Sequence, residues 1–138
     1  MSKRQQQKYQ SYRELQNAKV DVSKHNQIKP NSGSETFPHL VAKAAVMHLG
    51  LANGYWVASE VEVPHGQIDC LLWGHPDRLT LAVEVESSPT EETKQDKLSR
   101  YVHQQPAIDD MLWVNVTEMP MHMLEALDYV SNQTGLTL

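Results

Sequence analysis

The chain has 138 residues, enough for one domain with a hydrophobic core. Forty per cent hydrophobic and 21% charged residues set it among soluble globular domains rather than disordered or membrane-embedded chains, and no apolar run reaches membrane-spanning length. The net charge of −5 conceals an asymmetry: residues 1–30 carry seven basic against two acidic residues, and the remainder five basic against fifteen acidic.

A basic arm on an acidic body points to phosphate contacts, because neutralising phosphates needs clustered Lys and Arg; a plain solvated tail has the same composition. The polar N-terminus lacks the apolar core of a signal peptide. Cys70 is the single cysteine, which rules out an intramolecular disulfide and suits a reducing, cytoplasmic setting. It alternates with Ile68 and Leu72 and so belongs to a core more readily than to a nucleophilic site.

Residues 3–19 are rich in Gln, Lys and Arg, with Tyr9, Tyr12 and Leu15 spaced by three. That stripe is too thin to hold a helix alone, so the segment is expected to dock on the body, a second subunit or nucleic acid. Residues 21–36 read as a loop punctuated by Lys29-Pro30-Asn31-Ser32-Gly33-Ser34. Residues 1–34 thus form a basic arm and residues 35–138 a domain.

A helix follows, capped by Ser34 or Thr36 with Pro38 in its first turn. Leu40, Val41, Ala44, Ala45, Met47 and Leu49 make it broadly apolar, His39 and Lys43 share a side, and Gly50 with Asn53-Gly54 ends it. Tyr55–Val63 is the first strand, with Trp56, Ala58, Glu60 and Glu62 on one face and Val57, Ser59, Val61 and Val63 on the other. Pro64-His65-Gly66 turns the chain into a second strand over Gln67–Trp73. Gly74 to Arg78 then connects it to a third over Ala82–Glu86. Asp69 shares a face with Leu71 and Trp73, and Glu84 with Glu86. Where these faces meet, three acids converge, and such acids stay ionised only with compensating cations or hydrogen bonds.

Thr90 or Thr93 caps the next helix, which carries Lys94, Lys97, Leu98, Tyr101 and Val102 and runs to about Gln104 before Pro106 stops it. Met111–Val116 is a near-continuous apolar run, as in a strand covered on both faces. A last helix begins near Pro120 and ends before Gly135. Met111, Met119, Met121 and Met123 read as core filler, and Trp73 and Trp113 likewise; Trp56 is open between core and surface. The histidines show no zinc spacing, with His65 and His75 in turns.

The order helix, three-strand meander, helix, strand, helix, with Asp69 in the second strand and Glu84-Val85-Glu86 in the third, resembles the PD-(D/E)XK nuclease superfamily over roughly residues 35–118. Val83-Glu84-Val85-Glu86 followed by Lys97-Leu98-Ser99-Arg100-Tyr101 is also similar to the nuclease-like domains of replication-relaxation proteins of mobile elements. The resemblance implies an α/β, restriction endonuclease-like αβββαβ core with a central mixed sheet flanked by helices. It implies a metal-dependent DNA endonuclease or exonuclease, with Mg²⁺ or Mn²⁺ held by Asp69 and Glu84 and an additional acid at Glu60.

The superfamily's lysine stands two residues after the second acid, where this chain has Glu86. Lys97 is the first choice for a lysine supplied from the neighbouring helix, ahead of Lys94 and Lys43. Tyr101, one turn beyond Lys97, is similar to the tyrosine of a helix motif in the exonuclease branch. Lys97 or Glu86, the latter as general base, would orient the attacking water. Lys3, Arg4, Lys8, Arg13, Lys43, Lys94 and Tyr101 complete the expected nucleic-acid contacts, and a domain this small is expected to act on DNA as a homodimer. The competing readings are a catalytically inactive relative that binds DNA or a replication partner, and an oligomerising scaffold. On the residues alone, Glu84 and Glu86 on a solvated face remain the plain alternative.

Overall fold

The structure, a computed structural model, describes residues 2–23, 25–29 and 35–137. The expected Ser34 cap, Lys24 and the punctuation over residues 30–34 lie outside the described residues. The described chain is an α/β fold with four helices and a four-stranded mixed sheet: α1 (Lys3–Asn17), α2 (Phe37–Ala52), β1 (Trp56–Val63), β2 (Gly66–Trp73), β3 (Leu81–Glu86), α3 (Glu91–Leu98), β4 (Asp110–Asn115) and α4 (Met123–Thr134). The strand order is β1-β2-β3-β4, antiparallel through the meander and parallel between β3 and β4. The parallel pair requires a crossover, and α3 supplies it.

Local chemistry explains the helix ends. Thr36 caps α2 by accepting a hydrogen bond from the His39 N–H at 3.3 Å, and Pro38 sits in the first turn, where no donor is lost. Thr90 caps α3, and Glu91 and Glu92 lie at its positive end. The helix continues as a π-helical turn over Ser99–His103, a local widening that recurs at functional sites. Gly135 closes α4 in the left-handed conformation (φ 80°).

The sheet is covered on both faces. On one, α2 and α4 pack over Val57, Cys70, Leu72, Val83, Val85 and Val114. Gly50 permits the close seat of α2, since a Cβ there would lie 2.7 Å from Val57 Cγ2. On the other face, Leu15 of α1, Val20, Val22 and Tyr101 pack over Ala58, Leu71, Trp73, Ala82 and Met111. The basic N-terminal segment is therefore a docked helix. The chain after it runs along the free edge of β1: His25 bridges to Ala58, the Asn26 N–H donates to the Val57 carbonyl, and the Ser59 hydroxyl links Lys29 N (2.7 Å) to Gln27 O (2.8 Å). This strap satisfies backbone groups that an edge strand leaves open.

Two expectations need correction. The alternation of β1 does not persist to its end, because Glu60 has φ 48° and reverses it; Val61 packs with Ala58 on the α1 face instead of with Val57. Of the four methionines taken as core, Met111 and Met119 are buried, whereas Met121 and Met123 are about two-fifths exposed, because α4 starts only at Met123 and its first turn lies outside the core.

Candidate functional site

Backbone pairing of β2 with β3 runs from Leu72–Leu81 to Cys70–Val83. One residue further on, side chains take over from the ladder. The Asp69 N–H donates to Glu84 Oε2 at 2.8 Å, and the Val85 N–H donates to Asp69 Oδ2 at 2.8 Å. The two carboxylates are thus fixed against each other's strand at the point where the backbones part.

Each carboxylate reaches a helix on a different face. Asp69 Oδ1 lies 3.6 Å from His39 Nε2 on α2, and Glu84 Oε1 accepts from Lys97 Nζ on α3 at 3.0 Å. Lys97 also bonds Glu86, so one ammonium spans both acids of β3. Asp69 therefore departs from the face of Leu71 and Trp73, to which strict alternation assigned it, and turns toward α2. The site occupies the gap in the sheet and is open to helices from both faces.

A second, deeper group adjoins the first. Lys43, fully buried on α2, donates to Glu60 Oε1 (2.8 Å), Glu35 (3.0 Å) and the Lys29 carbonyl (2.7 Å). Glu35 also pairs with His39 Nδ1 at 3.2 Å. The ion pairs run continuously from Glu60 through Lys43, Glu35 and His39 to Asp69, and on through backbone bonds to Glu84, Lys97 and Glu86.

The electrostatics follow from burial and crowding. Glu84 is 1% exposed; desolvation, then the negative Asp69, push its pKa up to about 8. Asp69 moves down: burial opposes its ionisation, but the nearby His39 and the hydrogen bond from the Val85 N–H outweigh it. His39, facing the Asp69 and Glu35 carboxylates, is raised to about 9 despite partial burial. Burial lowers Lys97 and Lys43, yet their carboxylate partners reverse the sign and hold both above the ordinary lysine value. Glu60 is raised by burial, with Lys43 pulling the other way. Five acids therefore face two lysines and one histidine, and burial together with this excess of acids favours the protonated form of Glu84.

The remaining expected contacts sit elsewhere. Arg4 and Lys8 lie over the Trp56 ring, at 5.7 and 3.8 Å from its centroid, and Arg13 lies over Tyr9 at 5.4 Å. Lys3 is exposed at the start of α1. Lys94 approaches the Trp113 ring at 5.9 Å, as Lys97 does. Tyr101 is buried against Gly66, where a Cβ would lie 2.5 Å from its hydroxyl, and it serves as packing. Cys70 is fully buried and its thiol is pushed up by desolvation, as befits a core residue.

Sequence reasoning missed Glu35 and put His39 on one side of α2 with Lys43 without making it part of the site. The signal was present: Glu35, His39 and Lys43 recur at intervals of four and align on one side of α2 and its lead-in. Hard oxygen donors at Asp69 and Glu84, with a surplus of negative charge, fit a divalent cation in chemistry. Among the described residues, however, no set of three or more His, Cys, Asp and Glu side chains is assembled as a metal site. The chain matches no protein-family model, no curated protein and no solved structure.

Proposed function

We propose that the chain is a metal-dependent phosphodiester hydrolase acting on DNA, of restriction endonuclease-like fold, with Asp69, Glu84 and Lys97 at its centre. The observation that carries this reading is the pair Asp69–Glu84, crosslinked through each other's backbone, with Glu86 sharing Lys97, so that three acids meet one lysine and one histidine. Burial and crowding favour a proton on Glu84, and a divalent cation would answer the same excess of acids.

Asp69 and Glu84 would hold Mg²⁺ or Mn²⁺ through oxygen; bound there, the ion neutralises phosphate oxygens and acidifies water. The chain's own residues do the positioning. His39 fixes the Asp69 carboxylate, and the Val85 N–H fixes its second oxygen. Lys97 stands between Glu84 and Glu86, where its charge meets a non-bridging phosphate oxygen. Glu86, the more exposed of the two acids of β3, accepts a proton from the attacking water as its oxygen bonds to phosphorus. The phosphorus–oxygen bond to the leaving nucleotide then breaks, and that oxygen takes a proton from solvent. Duplex substrate is engaged by a homodimer.

The test is cleavage of supercoiled, linear and branched DNA with Mg²⁺ or Mn²⁺, together with metal uptake by calorimetry. Wild type is expected to cut. Asp69→Asn and Glu84→Gln are expected to lose at least 100-fold in rate while retaining DNA affinity, a loss on the order of the electrostatic contributions such groups make. A wild-type chain that neither cuts any of these substrates nor takes up metal removes the hydrolytic reading.

One observation favours a second reading. Lys97 already bridges Glu84 and Glu86, so the acids of β3 have a cation from the chain itself, and the residue two positions after Glu84 is an acid. On that basis the fold binds DNA or a replication partner without cutting it. The same assay separates the two, since retained binding without cleavage or metal uptake selects the second.

A further inference from the structure

Away from the acidic site, α1 and the strap after it enclose an open cleft of about 700 Å³ lined by Gln5, Lys8, Tyr9, Tyr12, Ser23 and His25. That volume lies in the range of small-ligand sites. Its chemistry is narrow. The lining has two phenol rings, an imidazole and one ammonium, and no acid. Tyr9 is 59% exposed, so its ring is presented to solvent rather than to the core. Cations border the same rings, with Arg13 over Tyr9, and Arg4 and Lys8 over the neighbouring Trp56.

The wall behind is stiff. His25 packs edge-on against Trp56 and Trp73, at 5.6 and 5.7 Å, and Tyr12 leans on Trp73 at 6.1 Å. Trp73 is wholly buried. Lys8 Nζ lies 3.3 Å from His25 Nε2, which ties α1 to the strap across the cleft.

We infer that this cleft holds an unpaired base of a DNA strand, stacked on Tyr9 beside Tyr12, with the adjoining phosphates on Lys8, Arg4 and Arg13. The inference deepens the DNA reading above and rests on it. Exposed aromatic faces interleaved with cations are what single strands require, since every base offers a π-face and every nucleotide a negative charge. A duplex hides its base faces and would use the cations alone. A peptide partner has no equal need for three cations around two phenols.

The position agrees with the site. Trp56 pairs with Trp73 at one end of the β1–β2 ladder, and Asp69 lies four residues along β2 from Trp73. At roughly 3.3 Å per residue that is about 13 Å, the span of about four stacked nucleotides. α1 and the turn that follows Lys97 pack on the same face of the sheet. A strand anchored by one base in the cleft would therefore reach the Asp69 end of β2 within a few nucleotides.

The experiment is fluorescence anisotropy of the full chain with a labelled ten-nucleotide oligo-dT and a ten-base-pair duplex, in EDTA and over a salt series, so that no cleavage is required. Oligo-dT is expected to bind more tightly than the duplex. Tyr9→Ala, at an exposed position that leaves the fold intact, is expected to weaken oligo-dT binding roughly 5- to 150-fold, as losing one base–aromatic stack does, with Tyr9→Phe restoring it. Duplex binding should stay within about twofold. Lys8→Gln is expected to weaken both and to reduce the salt slope on oligo-dT by about 0.7. Undiminished oligo-dT affinity in Tyr9→Ala overturns the inference, as does equal or tighter binding of the duplex. Cleavage of duplex DNA that survives Tyr9→Ala alongside either result would leave the hydrolase reading standing. Absence of binding to both probes at low salt also overturns it and gives the cleft to a protein partner.

Discussion

Asp69 and Glu84 each use one carboxylate oxygen to replace a rung of the β2–β3 ladder, and each presents the other oxygen to a cation from a helix. Their titration should therefore shape stability. Glu84 is raised to about 8, so its contribution is complete below its unfolded value near 4.5 and is lost as pH rises through about 8. His39 is raised to about 9, so its contribution is complete below about 6.5 and is lost as pH rises through about 9. Asp69 is lowered, so its contribution is present above about 3.8 and fades as pH falls further. Stability is expected to peak near pH 5 and to decline toward pH 9, at no more than about 1.4 kcal/mol per pH unit for each group. Urea denaturation at pH 5, 7 and 9 checks this. Glu84→Gln should flatten the decline between pH 5 and 8, and His39→Gln the decline between 6.5 and 9. A wild-type profile level from pH 5 to 9 would contradict the assigned couplings.

At the scale of elements, α2 and β1 are joined by a charge as well as by apolar packing. Glu60 adopts a left-handed conformation that costs a residue with a Cβ about 1–2 kcal/mol, and Lys43 holds it there with a 2.8 Å ion pair. Because both side chains are buried, removing one partner leaves an uncompensated charge. Lys43→Met is expected to destabilise the chain by about 3–5 kcal/mol. The double variant Lys43→Met/Glu60→Gln should recover much of that loss, because the Glu60 charge is gone and Glu35 keeps His39 as its partner. A double variant that loses the sum of the two single effects, measured by thermal and urea unfolding, would show that the two act independently. The reversal at Glu60 also aims its carboxylate at α2, which adds Lys43 and Glu35 to the polar network around Asp69.

For the molecule as a whole, the basic helix α1 is part of the core. Leu15, 1% exposed, packs with Val20, Val22 and Trp73. Leu15→Ala is expected to cost about 2–5 kcal/mol in global unfolding, the usual range for a buried leucine. A freely solvated arm would lose nothing, so urea titration separates the two descriptions. The docked helix places its cations against Trp56 and its phenols beside the strap, and so builds a basic, aromatic surface on an otherwise acidic body. Among the described residues no helix is long and apolar enough to cross a membrane.

The sequence by itself determined the elements from α2 onward and their order. Val-Glu-Val-Glu in β3, the Gly-Pro link after β2, the Thr36 and Thr90 caps and Gly135 after α4 are local signals, and local sterics and hydrogen bonding act wherever those residues stand. It also put Asp69, Glu84 and a lysine on neighbouring elements, because strand pairing brings residues together at intervals that can be counted. Tertiary structure alone decided which helix meets which carboxylate. The side of the sheet that Asp69 turns to depends on the parting of β2 from β3, and the capture of Glu60 and Glu35 by Lys43 depends on one left-handed residue in β1. Neither leaves a periodic trace, since both arise where a regular ladder stops and long-range charge pairing takes its place.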